Sequence, residues 1–399
     1  MALHDLVVIG GGAAGFFGAI RYAELHPSKK ITILEKSART LDKVRISGGG
    51  RCNVTHGCFD TDELVQHYPR GSRELLGPFH RFQCGDTMAW FGERGVETKI
   101  EDDGRVFPVT DQSSSIIDCF WREIKRLGVE VKPQTSVTAL ESVDGSWRVT
   151  TTSGSYLTRA VLVTTGSAPS FWQLLEGLGV ECVKPVPSLF TFNTKHPLLT
   201  GLMGLSVPWV EARIAGGRLH TEGPLLITHW GLSGPAVLRL SAWGARELAQ
   251  RNWNFTAEID FSGGMDVDGW LAERRSADAR KKVRTTVFPT LPRRLWERMA
   301  ELTGTADLNW ADLRTSDLDA LRSSVAEWQT PVTGKSTFKD EFVTAGGVDL
   351  KQINFKTMEH KTLKGLFFAG EVLDIDAITG GFNFQAAWTT SWIAAESIP

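Results

Sequence analysis

Residues 5–15 read DLVVIGGGAAG. Asp5–Ile9 is a short, largely apolar run, and Gly10, Gly12 and Gly15 complete the pattern G-x-G-x-x-G. Ala13 to Leu25 follows as an apolar, helix-compatible stretch. Ile31 to Glu35 (ITILE) is then a β-branched run whose terminal acid lies twenty positions after Gly15. A strand, a glycine turn, a helix and a second strand ending in an acid is the order of a dinucleotide-binding βαβ unit. The three glycines alone would equally suit a tight strand-to-helix turn, so the flanking elements and the acid carry the choice. The glycines let backbone approach a pyrophosphate, and the free N–H groups of a helix N-terminus stabilise its charge. Glu35 would accept hydrogen bonds from ribose hydroxyls and repel a 2′-phosphate.

The far end of the chain repeats this style. Lys364 to Gly370 (KGLFFAG) is an apolar strand ending in glycine, followed at once by Glu371 and three residues later by Asp374. Thr379-Gly380-Gly381 then opens a second helical stretch, Asn383 to Ala395. An acid and a glycine pair between a strand and a helix suit closure over a large dinucleotide such as FAD: the acid bonds polar groups of the cofactor, and the helix N-terminus faces its electron-rich part. Two such units at opposite ends favour one discontinuous nucleotide domain over an ordinary terminal βα unit.

Between them, Val129 to Gly166 is strand-like, with turns expected at Asp144-Gly145 and Ser153-Gly154. Glu181 to Gly231 reads as mostly β, Arg239 to Gln250 as helical, and Asp268 to Trp328 as mostly helical with breaks at Pro289 and Pro292. Arg274 to Arg298 carries nine basic residues, and the following segment to Glu327 is net acidic. Solvated charged faces are the preferred reading, with an anionic partner as the alternative.

A formal net charge of −2 disfavours bulk attraction to nucleic acid or anionic membranes as the main activity. No run is long enough to span a bilayer, and the first residues enter a strand rather than a signal peptide, so a cytoplasmic protein is expected. The five cysteines, Cys52, Cys58, Cys84, Cys119 and Cys182, lack C-x-x-C spacing; reduced thiols and no metal site are expected.

VVIGGGAAG, ISGGGRCNVT, GRVFPVTD, ITHWGLSGPAVL, TAGGV and FFAGEVLDIDAITGGFNFQAAW run in order from residue 7 to residue 388. Together they resemble the BaiN/RdsA (YhiN-like) flavoproteins, NAD(P)/FAD-dependent oxidoreductases that include an aminoacetone oxidase. The resemblance implies an α/β fold: a glutathione-reductase-type, Rossmann-like FAD-binding domain over 1–187 and 342–399. A β-rich substrate domain over 188–341 would interrupt it, with a helical subdomain at about 266–328. Carried over by position, Gly10, Gly12, Ala13, Ala14 and Gly15 would hold the pyrophosphate, and Glu35 and Lys36 the adenosine ribose. Lys43, Ser47, Gly48, Gly49, Gly50, Arg51, Cys52 and Asn53 would run along the flavin side. Val137 would meet adenine by its backbone, and Thr165 and Gly166 would border the nucleotide. Gly370, Glu371, Asp374, Gly380, Gly381, Phe382 and Asn383 would close over the ribityl chain and ring. One departure is that VTTGSAPSFWQLLEGLGV goes straight into a helix-like segment where many members have a longer T-G-S-x-G-D-G run. FAD binding is expected to survive it, since both glycine-rich ends are intact.

The expected activity is FAD-dependent oxidoreduction: hydride passes between flavin N5 and a small organic substrate, at the flavin face between the two domains. NAD(P)H or oxygen would be the second redox partner. With one complete G-x-G-x-x-G and no second fingerprint, NAD(P)H would bind transiently, without a dedicated domain. His229 is the candidate for proton exchange, against a structural histidine in a turn. Arg51 would stabilise charge on reduced flavin or substrate, against a plain salt bridge. Cys52 reads as a small buried side chain beside the cofactor rather than a redox nucleophile. The alternative from another class is a non-catalytic FAD-binding redox regulator, or an RNA-associated factor using the basic helical segment.

Overall fold

The computed structural model describes residues 3–336 and 343–399. The expected domain boundary at 341/342 lies outside the described residues. Two compact units form, one from 1–186 with 339–399 and one from 187–338.

In the first unit, Leu3–Ile9 is the central strand of a parallel core. Val7 lies opposite Thr32 of Ile31–Leu34 on one side and opposite Val161 of Gly154–Val163 on the other. Glu130–Lys132 extends the sheet beyond Ile31–Leu34, and Leu366–Phe368 extends it beyond Gly154–Val163. Thus the last strand enters the same sheet as the first. Leu6, Val7, Val8, Leu162 and Phe368 have no exposed surface, as parallel strands covered on both faces require. Helix Ala13–Leu25 and the closing helix Phe382–Ser397 pack on each other: Ser391 Oγ donates to the Ala14 carbonyl at 2.9 Å, and Phe17 meets Trp388 at 5.2 Å between ring centroids.

The antiparallel strands Val137–Val143, Ser146–Thr151 and Gly154–Val163 form the expected meander. Asp144 and Gly145 both have positive φ and make the two-residue turn that the Asp-Gly pair favours. The second turn sits one residue earlier than expected. Thr151 pairs with Gly154, so Thr152-Ser153 is the loop, and Thr151 Oγ1 donates to the Gly154 carbonyl at 2.8 Å.

The second unit is an antiparallel sheet in the order Trp328–Thr333, Asn254–Asp260, Ser206–Ile214, His220–Ile227, Gly231–Ser233, Thr191–Asn193, Lys335–Ser336. Helices Val267–Ala277, Arg293–Leu302 and Thr315–Ala326 share one hydrophobic core with that sheet, through Trp296, Trp310 and Leu321. The tryptophans Trp270, Trp296 and Trp310 fill this helical part, and the Trp296 indole donates to the Val283 carbonyl at 2.9 Å. Proline breaks fall where expected, at Pro289 and Pro292, before Arg293–Leu302.

Candidate cofactor site

The three fingerprint glycines are required for different reasons. A Cβ on Gly10, whose φ is +114°, would lie 2.4 Å from the Thr164 carbonyl oxygen. A Cβ on Gly15 would lie 2.0 Å from the Gly10 carbonyl oxygen. Both glycines serve the close packing of strand, turn and helix. Gly12 caps helix Ala13–Leu25 in an extended conformation with no side-chain cap, and a Cβ there would meet nothing within 4 Å. The protein's own packing makes no demand for glycine at position 12 and leaves the space in front of the helix N-terminus open. The helix's first free N–H groups open onto that space, a donor set that fits a diphosphate.

Glu35 ends its strand beside this turn. Its Oε2 accepts from the Gly11 N–H at 2.7 Å and its Oε1 from the Ser37 N–H at 2.8 Å, which fixes the carboxylate with lone pairs to spare for hydroxyl donors. Thr135 N–H donates to the Glu35 carbonyl at 2.8 Å, bringing the chain leading to Val137 alongside; Lys36 is exposed.

The C-terminal strand ends against the same turn. A Cβ on Gly370 would lie 3.0 Å from the Ala14 Cβ, and the Gly370 N–H donates to Thr390 Oγ1 at 2.9 Å. Glu371 pairs with Lys43, and its carboxylate is 3.6 Å from the Cβ position of Gly166. Thr165 Oγ1, next in sequence, is buried with no hydrogen-bond partner. A buried hydroxyl without a partner costs about 1–3 kcal/mol, so a polar ligand at this end of the sheet fits an unmet need. Asp374 is buried, and its N–H donates to the Val348 carbonyl at 3.1 Å.

The loop RISGGGRC uses its glycines for backbone shape. Gly48, Gly49 and Gly50 have φ of +58°, +69° and +87°, and Cys52 shares this left-handed region at +63°. Three consecutive left-handed residues are conformations that side chains resist. A Cβ on Gly49 would meet no protein atom, whereas one on Gly48 would lie 2.8 Å from the Phe107 ring. Asn53 fastens the loop to the closing turn. With its side-chain amide oriented to satisfy both ends, it accepts from the Gly381 N–H at 2.9 Å and donates to the Thr55 carbonyl at 2.9 Å. Gly381 needs to lack a side chain, since a Cβ would lie 2.3 Å from the Thr55 carbonyl oxygen. Asn383 in turn exchanges two hydrogen bonds with Ala377, at 3.0 and 3.1 Å.

Cys52 is fully buried, and burial pushes its thiol up to about 12. Cys58 is pushed up to about 12, and Cys119 and Cys182 to about 11, in each case chiefly by burial. At pH 8 a thiol of pKa 11 is thiolate to about one part in a thousand. Native protein held with iodoacetamide at pH 8 for an hour should therefore gain at most one adduct by intact mass, at the half-buried Cys182, and five after guanidinium unfolding. A Cys52 adduct on the native protein would contradict this placement.

Arg51 is occupied. Its Nη1 lies 2.6 Å from Glu101 Oε1 and 3.4 Å from Asp111 Oδ1, and the guanidinium sits 3.7 Å over the Phe107 ring. His229 belongs to the second unit, exposed on the tight turn closed by Thr228 N–H to the Gly231 carbonyl at 2.8 Å. Two imidazoles not anticipated from the sequence flank Phe382, His67 at 4.2 Å and His56 at 4.5 Å, both stacked. Cys58, Glu63 and His67 bring their ligand atoms within 4.8 Å of one another, the one such group among the described residues.

The description "HI0933-like protein Rossmann domain" matches residues 4–397. The chain is 27% identical over 410 residues to the ribosomal RNA dihydrouridine synthase of Escherichia coli K12, covering all of this chain and 98% of that protein. It is 26% identical over 422 residues to the 3-dehydro-bile acid delta(4,6)-reductase of Clostridium scindens, covering 99% of each. Among solved structures, 3-ketosteroid delta1-dehydrogenase from Sterolibacterium denitrificans superposes with a TM-score of 0.53 at 9% identity, over all of this chain and 99% of that one. That last likeness is one of fold.

Proposed function

This chain belongs to the HI0933-like Rossmann-domain family and is an FAD-dependent oxidoreductase; on that premise we propose that it saturates a carbon–carbon double bond conjugated to a carbonyl. The observation that carries the cofactor half of this reading is the uncapped helix N-terminus at Gly12, which faces open space at the end of the parallel strands. The reaction class is supported by the two relatives' names, which share the addition of two hydrogens across such a bond, in uridine and in a bile-acid dienone.

When bound and reduced by the nicotinamide donor, the flavin would supply a hydride from N5 to one carbon of the double bond, with a proton from solvent completing the other. In this reading the N-terminus of helix Ala13–Leu25 holds the diphosphate and Glu35 orients the adenosine ribose. Lys43 and Thr165 line the sugar-phosphate side together with Glu371, and Gly48 to Gly50 leave room for the ring system. Phe382, Asn383 and Phe384 open the closing helix with N–H groups that lack intrahelical partners, which favours negative charge at that end. Asn53 and Asn383 hold that helix entry in place. NADPH or NADH is the proposed transient electron source, and oxygen a competing acceptor.

The test is anaerobic. NADPH or NADH should bleach the flavin absorbance. Photoreduced enzyme should regain that absorbance with a 4-en-3-one steroid or a uridine-containing RNA, and not with the saturated ketone. Reoxidation by the saturated ketone, or by no conjugated compound, would reject the reaction class.

A further inference from the structure

Ten consecutive residues, Cys58 to His67 (CFDTDELVQH), carry three acids and no lysine or arginine. Asp60, Asp62 and Glu63 form no ion pair among the described residues. Asp60 caps the short helix Thr61–Val65, its Oδ1 accepting from the Glu63 N–H at 2.9 Å. The His67 N–H donates to the Leu64 carbonyl at 3.2 Å and so carries the turn on past the helix. Glu63 and His67, four residues apart, therefore share one face. Cys58 is buried, its thiol donating weakly to the Asp60 carbonyl at 3.7 Å, while His67 is half-buried and Glu63 exposed. One ligand atom from each of Cys58, Glu63 and His67 lies within 4.8 Å of the other two. Bonds of about 2.0–2.3 Å in a tetrahedral zinc site hold neighbouring ligand atoms about 3.5 Å apart, so closing the triad takes about 1 Å of movement. The exposed Glu63 side chain has that freedom.

We propose that Cys58, Glu63 and His67 bind a zinc-like divalent cation, with water in the fourth position, and that this ion steadies the turn closing over the cofactor. Thiolate, imidazole and carboxylate are the ligand types zinc takes, whereas magnesium and calcium prefer all-oxygen shells. The thiol proton leaves to solvent as the sulfur takes the ion. Thiolate and carboxylate then cancel the charge of the ion, so a half-buried place gains no net charge. Glu63 marks the open side, where the ion enters and the water stays. Cysteine spacing gives no sign of such a site, because only one of its ligands is a cysteine. His67 is also where this segment meets the closing turn. Its ring stacks on Phe382 at 4.2 Å, its carbonyl accepts from the Ile378 N–H at 3.0 Å, and the neighbouring Tyr68 hydroxyl donates to the Phe382 carbonyl at 2.6 Å. An ion on the imidazole holds that ring against Phe382. This link to the turn rests on the cofactor reading of Gly380 to Asn383; the metal site itself does not.

In the test, holoprotein without an affinity tag is stripped with a chelator, desalted and titrated with zinc against a competing fluorescent chelator. One zinc per chain is expected. Cobalt(II) in its place should give the red bands of a tetrahedral ion, clear of flavin absorbance, and a thiolate-to-cobalt charge-transfer band in the ultraviolet difference spectrum. Cys58→Ser should lose the charge-transfer band and bind zinc at least about a hundredfold more weakly, since loss of an outer-shell partner alone costs about 10–100-fold. Glu63→Gln, an exposed change that spares folding, should bind about tenfold or more weakly. The control Cys182→Ser should bind as wild type does. Zinc should slow FAD release on dilution about fivefold or more in wild type, and not in Glu63→Gln. No zinc bound by wild type, no charge-transfer band, or equal binding by all three variants overturns the site. FAD release unchanged by bound zinc overturns its link to the turn. Protein that purifies without flavin would reject the cofactor reading, while the zinc and cobalt titrations still decide the site.

Discussion

Gly12→Asp should purify folded and colourless. The substitution places a carboxylate at the N-cap of helix Ala13–Leu25, where wild type has no side-chain cap and where a Cβ meets nothing within 4 Å. Aspartate is a slightly better N-cap than glycine, so the flavin-free variant should be as stable as flavin-free wild type or more so, by about a few tenths of a kcal/mol. The same side chain occupies the N–H groups meant for a diphosphate and sets a negative charge against it. Two charges about 4 Å apart at an effective dielectric of 20 repel by about 4 kcal/mol, close to a thousandfold in affinity. Gly15→Ala should behave in the opposite way. One methyl would lie 2.0 Å from the Gly10 carbonyl oxygen, so strand and helix must separate and the melting temperature should fall by several degrees. Calorimetry of the flavin-free proteins with absorbance at 450 nm of the purified ones separates the two. A yellow, stoichiometric Gly12→Asp would remove the cofactor turn from residues 10–15, and a Gly15→Ala as stable as wild type would remove the packing account.

That contrast marks what could be read in the chain order. The βαβ opening was legible because its signals are local: a β-branched run, glycines at fixed spacing and an acid at the next strand end all lie within residues 5–35. The closing strand and helix were legible for the same reason. The triple glycine was legible as backbone shape, and three consecutive positive φ angles are that shape. Side-chain partnerships across distance were not. For Arg51 the sequence left charge stabilisation and a plain salt bridge both open, and gave no sign of the partners, Glu101 and Asp111, 50 and 60 residues later, that fold against it. His56 and His67 carry no periodic signal that would place them on Phe382. Charge pairing is just as hidden in chain order: within the basic run, Arg274, Lys281, Arg284, Arg293 and Arg298 each meet a carboxylate a turn or a loop away.

The largest loss of stability should come from one buried ion pair. Asp376 has no exposed side-chain surface and Arg70 is 10% exposed; the guanidinium meets the carboxylate through Nε and Nη2, one to each oxygen. The two residues also form an isolated antiparallel bridge, and the Ile378 N–H donates to the His67 carbonyl at 3.0 Å. Together these contacts fasten residues 67–71 to the segment leading into Gly380 and Gly381. Truncating one partner takes the two-point contact away from a charge that stays buried, at a cost of about 3–5 kcal/mol. Arg70→Met and Asp376→Ala should each lower the first thermal transition of the holoprotein by about 10 °C and speed FAD release on dilution, because the glycine turn loses its anchor. The double variant Arg70→Met/Asp376→Leu, which buries no charge, should recover much of the stability, since apolar replacement of a whole buried pair is often close to neutral. It should not recover FAD retention to the same degree, because the planar two-point contact that orients the loop is still absent. Single variants that melt within a degree of wild type would show the pair to be incidental. A double variant that restores stability and FAD retention equally would show that the pair relieves charge burial and does not position the turn.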